Sequence, residues 1–195
     1  MRVYAEPLRI YCLGTPDRAL AEPADLVQGF FADRLARDDY FQGWKESGLR
    51  LRRWLMNGFG FYLKERRRER RKLGRERSLD EGAEPTGAEG VQAVEAAMDR
   101  AFAASVVKEA LVETRRACEA KGQSLHWQIF HRHYYEGRPY AEFIGEHGLT
   151  PARAAEMART AAAKFKAALR ELIAGDGALE SEIDAEIATL LEVCG

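Results

Sequence analysis

RLRRWLMNGFGFYLKERRRERRK, residues 50–72, interleaves two chemistries at helical spacing. At ~100° per residue, Arg50, Arg53, Asn57, Lys64, Arg68 and Arg71 gather within about 60° of one another. Leu51, Leu55, Phe59, Tyr62 and Leu63 face the other way, and Trp54 and Phe61 stand at the border. The pattern predicts a helix with one buried side and, opposite it, a cationic ridge edged by two large rings. Such a ridge fits a phosphate backbone whose bases stack on the rings. A solvated amphipathic helix with snorkelling arginines has the same pattern. Gly58 and Gly60 inside it each cost about 1 kcal/mol relative to Ala. They mark a bend or a close approach of another group.

Beyond this stretch, 195 residues suit one domain or two small ones. The net charge of −1 conceals an asymmetry. Residues 1–77 carry 18 Lys/Arg against 11 Asp/Glu, whereas residues 78–195 carry 12 against 20. Residues 176–195 hold six acids and no base. Opposed halves of this kind suggest a basic functional face and an acidic end. No apolar run approaches the ~20 residues of a membrane span. The N-terminus lacks the long apolar core of a signal peptide. Three widely spaced cysteines, Cys12, Cys118 and Cys194, form no C-x-x-C and fit free thiols in a reducing cytoplasm.

Helical periodicity runs through nearly the whole chain, so the predicted fold class is all-α. Val3, Tyr4, Leu8, Tyr11 and Cys12 share a face, with Pro7 expected to start or kink that helix. Leu26, Val27, Phe30, Phe31 and Leu35 form the apolar face of the next. Residues 40–48, aromatic and punctuated by glycine, read as a loop with one turn. Residues 74–90, rich in Gly and charge, read as a linker. Val91, Val94, Met98, Phe102 and Val106 begin a helix that Gly122 stops. Ser124 is the expected cap of a short helix, and Pro139 the expected start of another. Gly148 leads to Thr150 as N-cap and Pro151 as the first residue of a helix reaching about Ile173. Ile183, Ile187, Leu190 and Leu191 give a last amphipathic piece. The helices flanking Gly148 have helix-turn-helix proportions, which would let the second enter a major groove.

Taken as a set, these motifs resemble the extracytoplasmic-function group of bacterial RNA polymerase sigma factors. ADLVQGFF at 24–31 is similar to that family's polymerase-docking segment. LRRWLMNGFGFYLKERRRER at 51–70 is similar to the helix that opens and reads the downstream promoter element. RPYAEFIGEHGLTPARAAEMARTAAAKFKAALREL at 138–172 is similar to the helix-turn-helix that reads the upstream element. The likeness spans residues ~3–173 and implies four parts: a polymerase- and downstream-element domain at 1–76, a linker at 77–90, a helix-turn-helix domain at 91–175, and an acidic tail at 176–195. The resemblance implies that Asp25, Gln28, Phe31 and Arg34 touch polymerase. By the same likeness, Arg50, Arg53, Asn57, Lys64 and Arg68 hold single-strand phosphates, and Trp54 and Phe61 offer stacking faces. Thr150, Arg153, Glu156, Arg159, Thr160 and Lys164 are the implied upstream-duplex residues.

Some positions depart from the family. Pro23-Ala24 precedes the single Asp25 where an acidic pair is frequent, and Thr160, Ala162 and Ala163 stand where arginines are usual. Asn is common in place of Phe61. The expected partners are core RNA polymerase and promoter DNA, with an anti-sigma factor admitted by the resemblance and no membrane. Localisation is expected to be cytoplasmic. No cofactor, metal or catalytic residue is expected: His131 and His133, two apart on a helix, point about 200° from each other, and Asp38-Asp39 lacks a nucleophile or histidine partner. The acidic tail is expected to fold against the C-terminal half or screen its basic face. A sigma-derived interaction module and a helix-turn-helix regulator that does not direct initiation are the alternative readings.

Overall fold

A computed structural model describes residues 2–72 and 88–194. Among the described residues every regular element is helical. The α-helices are α1 (Arg2–Leu13), α2 (Pro23–Leu35), α3 (Tyr40–Ser47), α4 (Leu51–Lys72), α5 (Ala88–Glu119), α6 (Ser124–Phe130), α7 (Ala141–His147), α8 (Pro151–Gly175) and α9 (Ile183–Cys194). Most of the expected linker, residues 77–87, lies outside the described residues; 88–90 are the first turn of α5. No helix among the described residues is long and apolar enough to cross a membrane.

The chain divides into two compact units, Met1–Ser105 with Gly175–Gly195, and Val106–Ala174. The expected boundaries fall elsewhere, at the linker and before the tail. Here the divisions lie inside α5 and α8, and the acidic C-terminal helix belongs with the N-terminal unit.

In the first unit, α1, α2 and α4 pack against one another. Their shared apolar faces supply Val3, Tyr4, Leu8, Leu26, Val27, Phe30, Leu55, Phe59 and Leu63, all buried. Phe30 is the centre: its ring lies 5.3 Å from Phe59, 5.9 Å from Tyr62 and 6.4 Å from Tyr40. Pro7 neither begins nor ends α1 but lies inside it, where its missing N–H omits one helical bond. Residues 40–47 form a two-turn helix rather than a loop. None of its residues is fully buried, so apolar periodicity could not reveal it. Ring contacts hold it, with Tyr40 5.6 Å from Trp54, and Gly48 ends it at φ 68°. Gly58 permits this packing. A Cβ there would collide with the Tyr40 hydroxyl, while α4 runs through both glycines unbroken. From the later chain, Met98 and Phe102 of α5 and Ile183, Ile187 and Leu190 of α9 are buried. Leu35, Val91 and Leu191, expected on apolar faces, are exposed.

In the second unit, Ile129, Ala154, Met157 and Ala158 form one cluster, with Leu125, Tyr140, Ile144 and Leu149 packed on it. Cys118, Phe130 and Ala161 form another. Ser124 is the first residue of α6 rather than its cap; Gln123 holds that place without a side-chain bond. A π-turn, His131–Tyr135, follows α6, and Glu136 N–H donates to the His131 carbonyl at 3.1 Å. α7 starts at Ala141, later than Pro139 suggests. Gly148 at φ 62° adopts the left-handed turn that frees the chain from α7. Thr150 then caps α8: its Oγ1 accepts the Arg153 N–H at 3.3 Å.

Candidate nucleic-acid interface

α4 is the most basic helix of its unit, with nine Lys/Arg, and together with Arg50 just before it these cations fall into paired and open groups. Those toward its N-terminus are held by carboxylates. Arg50 donates to Glu182 at 2.8 Å. Arg52 pairs with Asp176 at 2.5 Å and Glu186 at 2.6 Å. Arg53 pairs with Asp99 at 2.6 Å and Glu95 at 3.5 Å. Along another flank, Arg67 pairs with Asp17 at 2.5 Å, and Arg70 donates to the Ala19 carbonyl at 2.7 Å. These two arginines tie α4 to the connection after α1.

The second group is open. Asn57, Phe61, Lys64, Arg68 and Arg71 are all exposed. Spaced by four, three, four and three residues, they follow one face for about 21 Å at 1.5 Å per residue. No carboxylate pairs with Lys64, Arg68 or Arg71 among the described residues. Phe61 is 63% exposed, and the Lys64 ammonium stands 5.8 Å from its ring centre. An exposed ring flanked by unpaired cations offers a base a stacking surface and its phosphates a counter-charge. The opposite side of the helix is fixed by Phe59, Tyr62 and Leu63, so the face is presented on a rigid support.

Trp54 is not an open stacking surface. Its indole lies against Tyr40 and Gly43, with Nε1 sealed from solvent. Arg34 is likewise not a surface ligand. It is buried between α2 and α4, its guanidinium 5.9 Å from the Phe30 ring and 5.8 Å from the Tyr40 ring, and pairs with Asp33 at 3.1 Å. Of its three expected companions on α2, Asp25 and Gln28 are exposed and Phe31 is half-buried.

On α8, Thr150, Arg153, Glu156 and Arg159 are exposed and Thr160 is half-buried. Arg153 is paired within the helix to Glu156 at 2.8 Å, and Thr160 Oγ1 donates to the Glu156 carbonyl at 3.1 Å. Lys164 turns back toward α5 and α6, donating to the Gln123 side chain and, at 3.5 Å, to the Ala117 carbonyl. Of the three cations, Arg153 alone has an ion-pair partner among the described residues. His131 and His133 turn to different acceptors, Glu136 Oε1 at 3.1 Å and the Arg138 carbonyl at 2.9 Å.

Sequence reasoning missed Asp176 and Arg52. Asp176 is fully buried, 124 residues from Arg52 along the chain. Its Oδ1 accepts the Arg52 N–H at 2.8 Å, its carbonyl accepts the Leu51 N–H at 2.8 Å, and the Tyr4 hydroxyl donates to it at 3.2 Å. It therefore caps α4 from a distance, satisfying two N-terminal amides and opposing the helix dipole with a carboxylate. Burial drives the Asp176 carboxyl above the ordinary range, and Arg52 pulls it part of the way back. The flanking glycines in GDG were the available signal, since a lone acid between them suits a tight approach. No family model, curated protein or solved structure matches this chain.

Proposed function

We propose that the chain is a dissociable, non-catalytic specificity subunit of RNA polymerase, of the sigma type, acting in the cytoplasm. In this reading the exposed face of α4 binds a separated DNA strand. α2 offers Asp25 and Gln28 to polymerase. α7 and α8 act as a helix-turn-helix on the upstream duplex, while the polymerase performs the chemistry. The observation that carries the reading is the exposed line Asn57–Phe61–Lys64–Arg68–Arg71, whose cations meet no carboxylate among the described residues and flank a solvent-facing ring. The motif order along the chain supports it independently. Base stacking contributes ~1–3 kcal/mol per base, enough to help hold a melted strand.

The test is transcription in vitro with core polymerase. Promoter-dependent transcripts are expected from the intact chain and a loss of at least tenfold from F61A/K64A/R68A. Intact chain that neither joins core polymerase nor yields such transcripts overturns the reading.

The second reading, an interaction module or regulator that does not direct initiation, is favoured by α8. There Arg153 is paired within the helix and Lys164 faces inward. It predicts either a polymerase complex without transcripts, or duplex binding by the chain alone.

A further inference from the structure

On an ideal helix, Arg50 and Arg53 continue the same face that Asn57, Phe61, Lys64, Arg68 and Arg71 occupy. The face thus runs about 31 Å, but its N-terminal third is taken by protein. Two kinds of contact hold it. The inner one is permanent in character: Asp176 is sealed beneath Arg52, and Ile183, Ile187 and Leu190 anchor α9 by apolar burial. The outer one lies at the solvent rim. Arg50 is 23% and Glu182 51% exposed, and Arg53 is 32% exposed beside Asp99 and Glu95 at 38% each. A guanidinium binds a phosphodiester with the same donors it gives a carboxylate. Fully exposed ion pairs are worth only ~0–1 kcal/mol, and these part-exposed pairs are still screened by solvent from one side, so exchanging the acid for a phosphate costs little.

Resting on the nucleic-acid reading above, we infer that the rim carboxylates Glu95, Asp99 and Glu182 are a built-in competitor for nucleic acid. They hold Arg50 and Arg53 in the free chain, and a bound strand takes those two arginines only by displacing them. The strand first engages the open face around Phe61, Lys64 and Arg68. Extension to Arg50 and Arg53 then swaps two protein acids for two phosphates while α9 stays anchored through Asp176 and its apolar side. Affinity is thereby held down until something else draws the rim acids away.

The experiment measures binding of a fluorescent single-stranded oligonucleotide by anisotropy across a salt series, using the full chain. E95Q/D99N/E182Q is expected to bind roughly three- to ten-fold tighter than the natural chain. Its log–log salt slope should steepen by about 1.4, as two more phosphates are neutralised at ~0.7 each. D38N/D39N/E46Q, which removes as many exposed carboxylates near α3, should change affinity less than about two-fold if only local pairing matters. Adding R50Q/R53Q should cancel the gain in the first variant, and should weaken the natural chain by less than it weakens that variant. Thermal melts check that each variant is folded, and the single variant E182Q, expected to show a smaller gain through Arg50, replaces the triple if that one is unfolded. The inference is overturned if the rim variant binds like the D38N/D39N/E46Q control, or if R50Q/R53Q weakens the natural chain as much as it weakens the rim variant. F61A/K64A/R68A separates the two claims. If it abolishes binding while the rim variant gains nothing, only the competitor fails; if no chain binds the oligonucleotide, the nucleic-acid reading fails with it.

Discussion

Asp176 joins α1 and the start of α4 to the end of α8 through one buried residue. One carboxylate, itself out of solvent, satisfies an Arg52 amide, neutralises the part-buried Arg52 guanidinium and accepts from Tyr4. Breaking a buried pair by removing one partner costs about 3–5 kcal/mol, because the other charge stays behind. Asp176→Ala should therefore lower the melting midpoint on the order of 10 °C. Asp176→Asn should cost less, since an amide oxygen still accepts from the Arg52 N–H and Glu186 still balances the guanidinium. Differential scanning calorimetry of the two variants orders them; equal, small losses would remove Asp176 from its capping role. Cys12 makes a second residue-scale case. It is fully buried, and burial followed by the nearby acids Asp17 and Glu22 pushes its thiol up to about 11. Burial likewise raises Cys118. Since the thiolate is the reactive form, a raised value means little of it at pH 8. Peptides containing Cys12 and Cys118 should accept iodoacetamide only as fast as the fold opens, read by mass spectrometry with and without urea. Rapid labelling of either in the native chain would contradict the packing.

At the scale of the element, α4 shows what periodicity could and could not reveal. Its bounds and its buried side follow from the spacing of Leu51, Leu55, Phe59, Tyr62 and Leu63. So does the exposed line from Asn57 to Arg71. What spacing could not say is which arginines meet acids, because Glu182 and Asp99 come from distant chain segments. Trp54 shows the same limit: a ring at the border of two faces is settled by its neighbour, and Tyr40 of α3 supplies one. α3 itself was illegible, as a helix without a buried stripe gives no periodic signal. The two glycines of α4 allow a sharp contrast. At Gly60 a Cβ would meet only the Tyr11 hydroxyl, at an ordinary 3.5 Å. Gly60→Ala should stabilise by about 0.5–1 kcal/mol through helix propensity and a less free unfolded chain. At Gly58 the same methyl collides with the Tyr40 hydroxyl, whose ring is wedged among Phe30 and Trp54. Overpacking costs roughly 1–3 kcal/mol, so Gly58→Ala should destabilise despite the same gain in propensity. Urea midpoints moving in opposite directions are the expected result.

The whole molecule gives the charge asymmetry of the sequence a different meaning. Opposed halves suggest a basic binding face and an acidic end that folds against the C-terminal half or screens its basic face. In the structure, part of that opposition is satisfied internally, because the acidic end returns to the basic helix near the start of the chain. Composition registers that both charges exist but not that they meet. The return also bears on which piece of chain forms a unit. A chain ending at Ala174 would lose the Asp176 cap together with Ile183, Ile187 and Leu190, each 8% exposed or less. Fully burying one such aliphatic is worth about 1.5–3 kcal/mol. Three of them and the cap together rival the 5–15 kcal/mol that holds a typical protein folded. The truncated chain should therefore lose amide protection across α1, α2 and α4, while peptides from α6 to α8, whose clusters involve none of these residues, keep theirs. Hydrogen exchange read by mass spectrometry separates this outcome from a merely electrostatic tail. In that case α4 would stay protected after truncation and only its affinity for a DNA strand would rise.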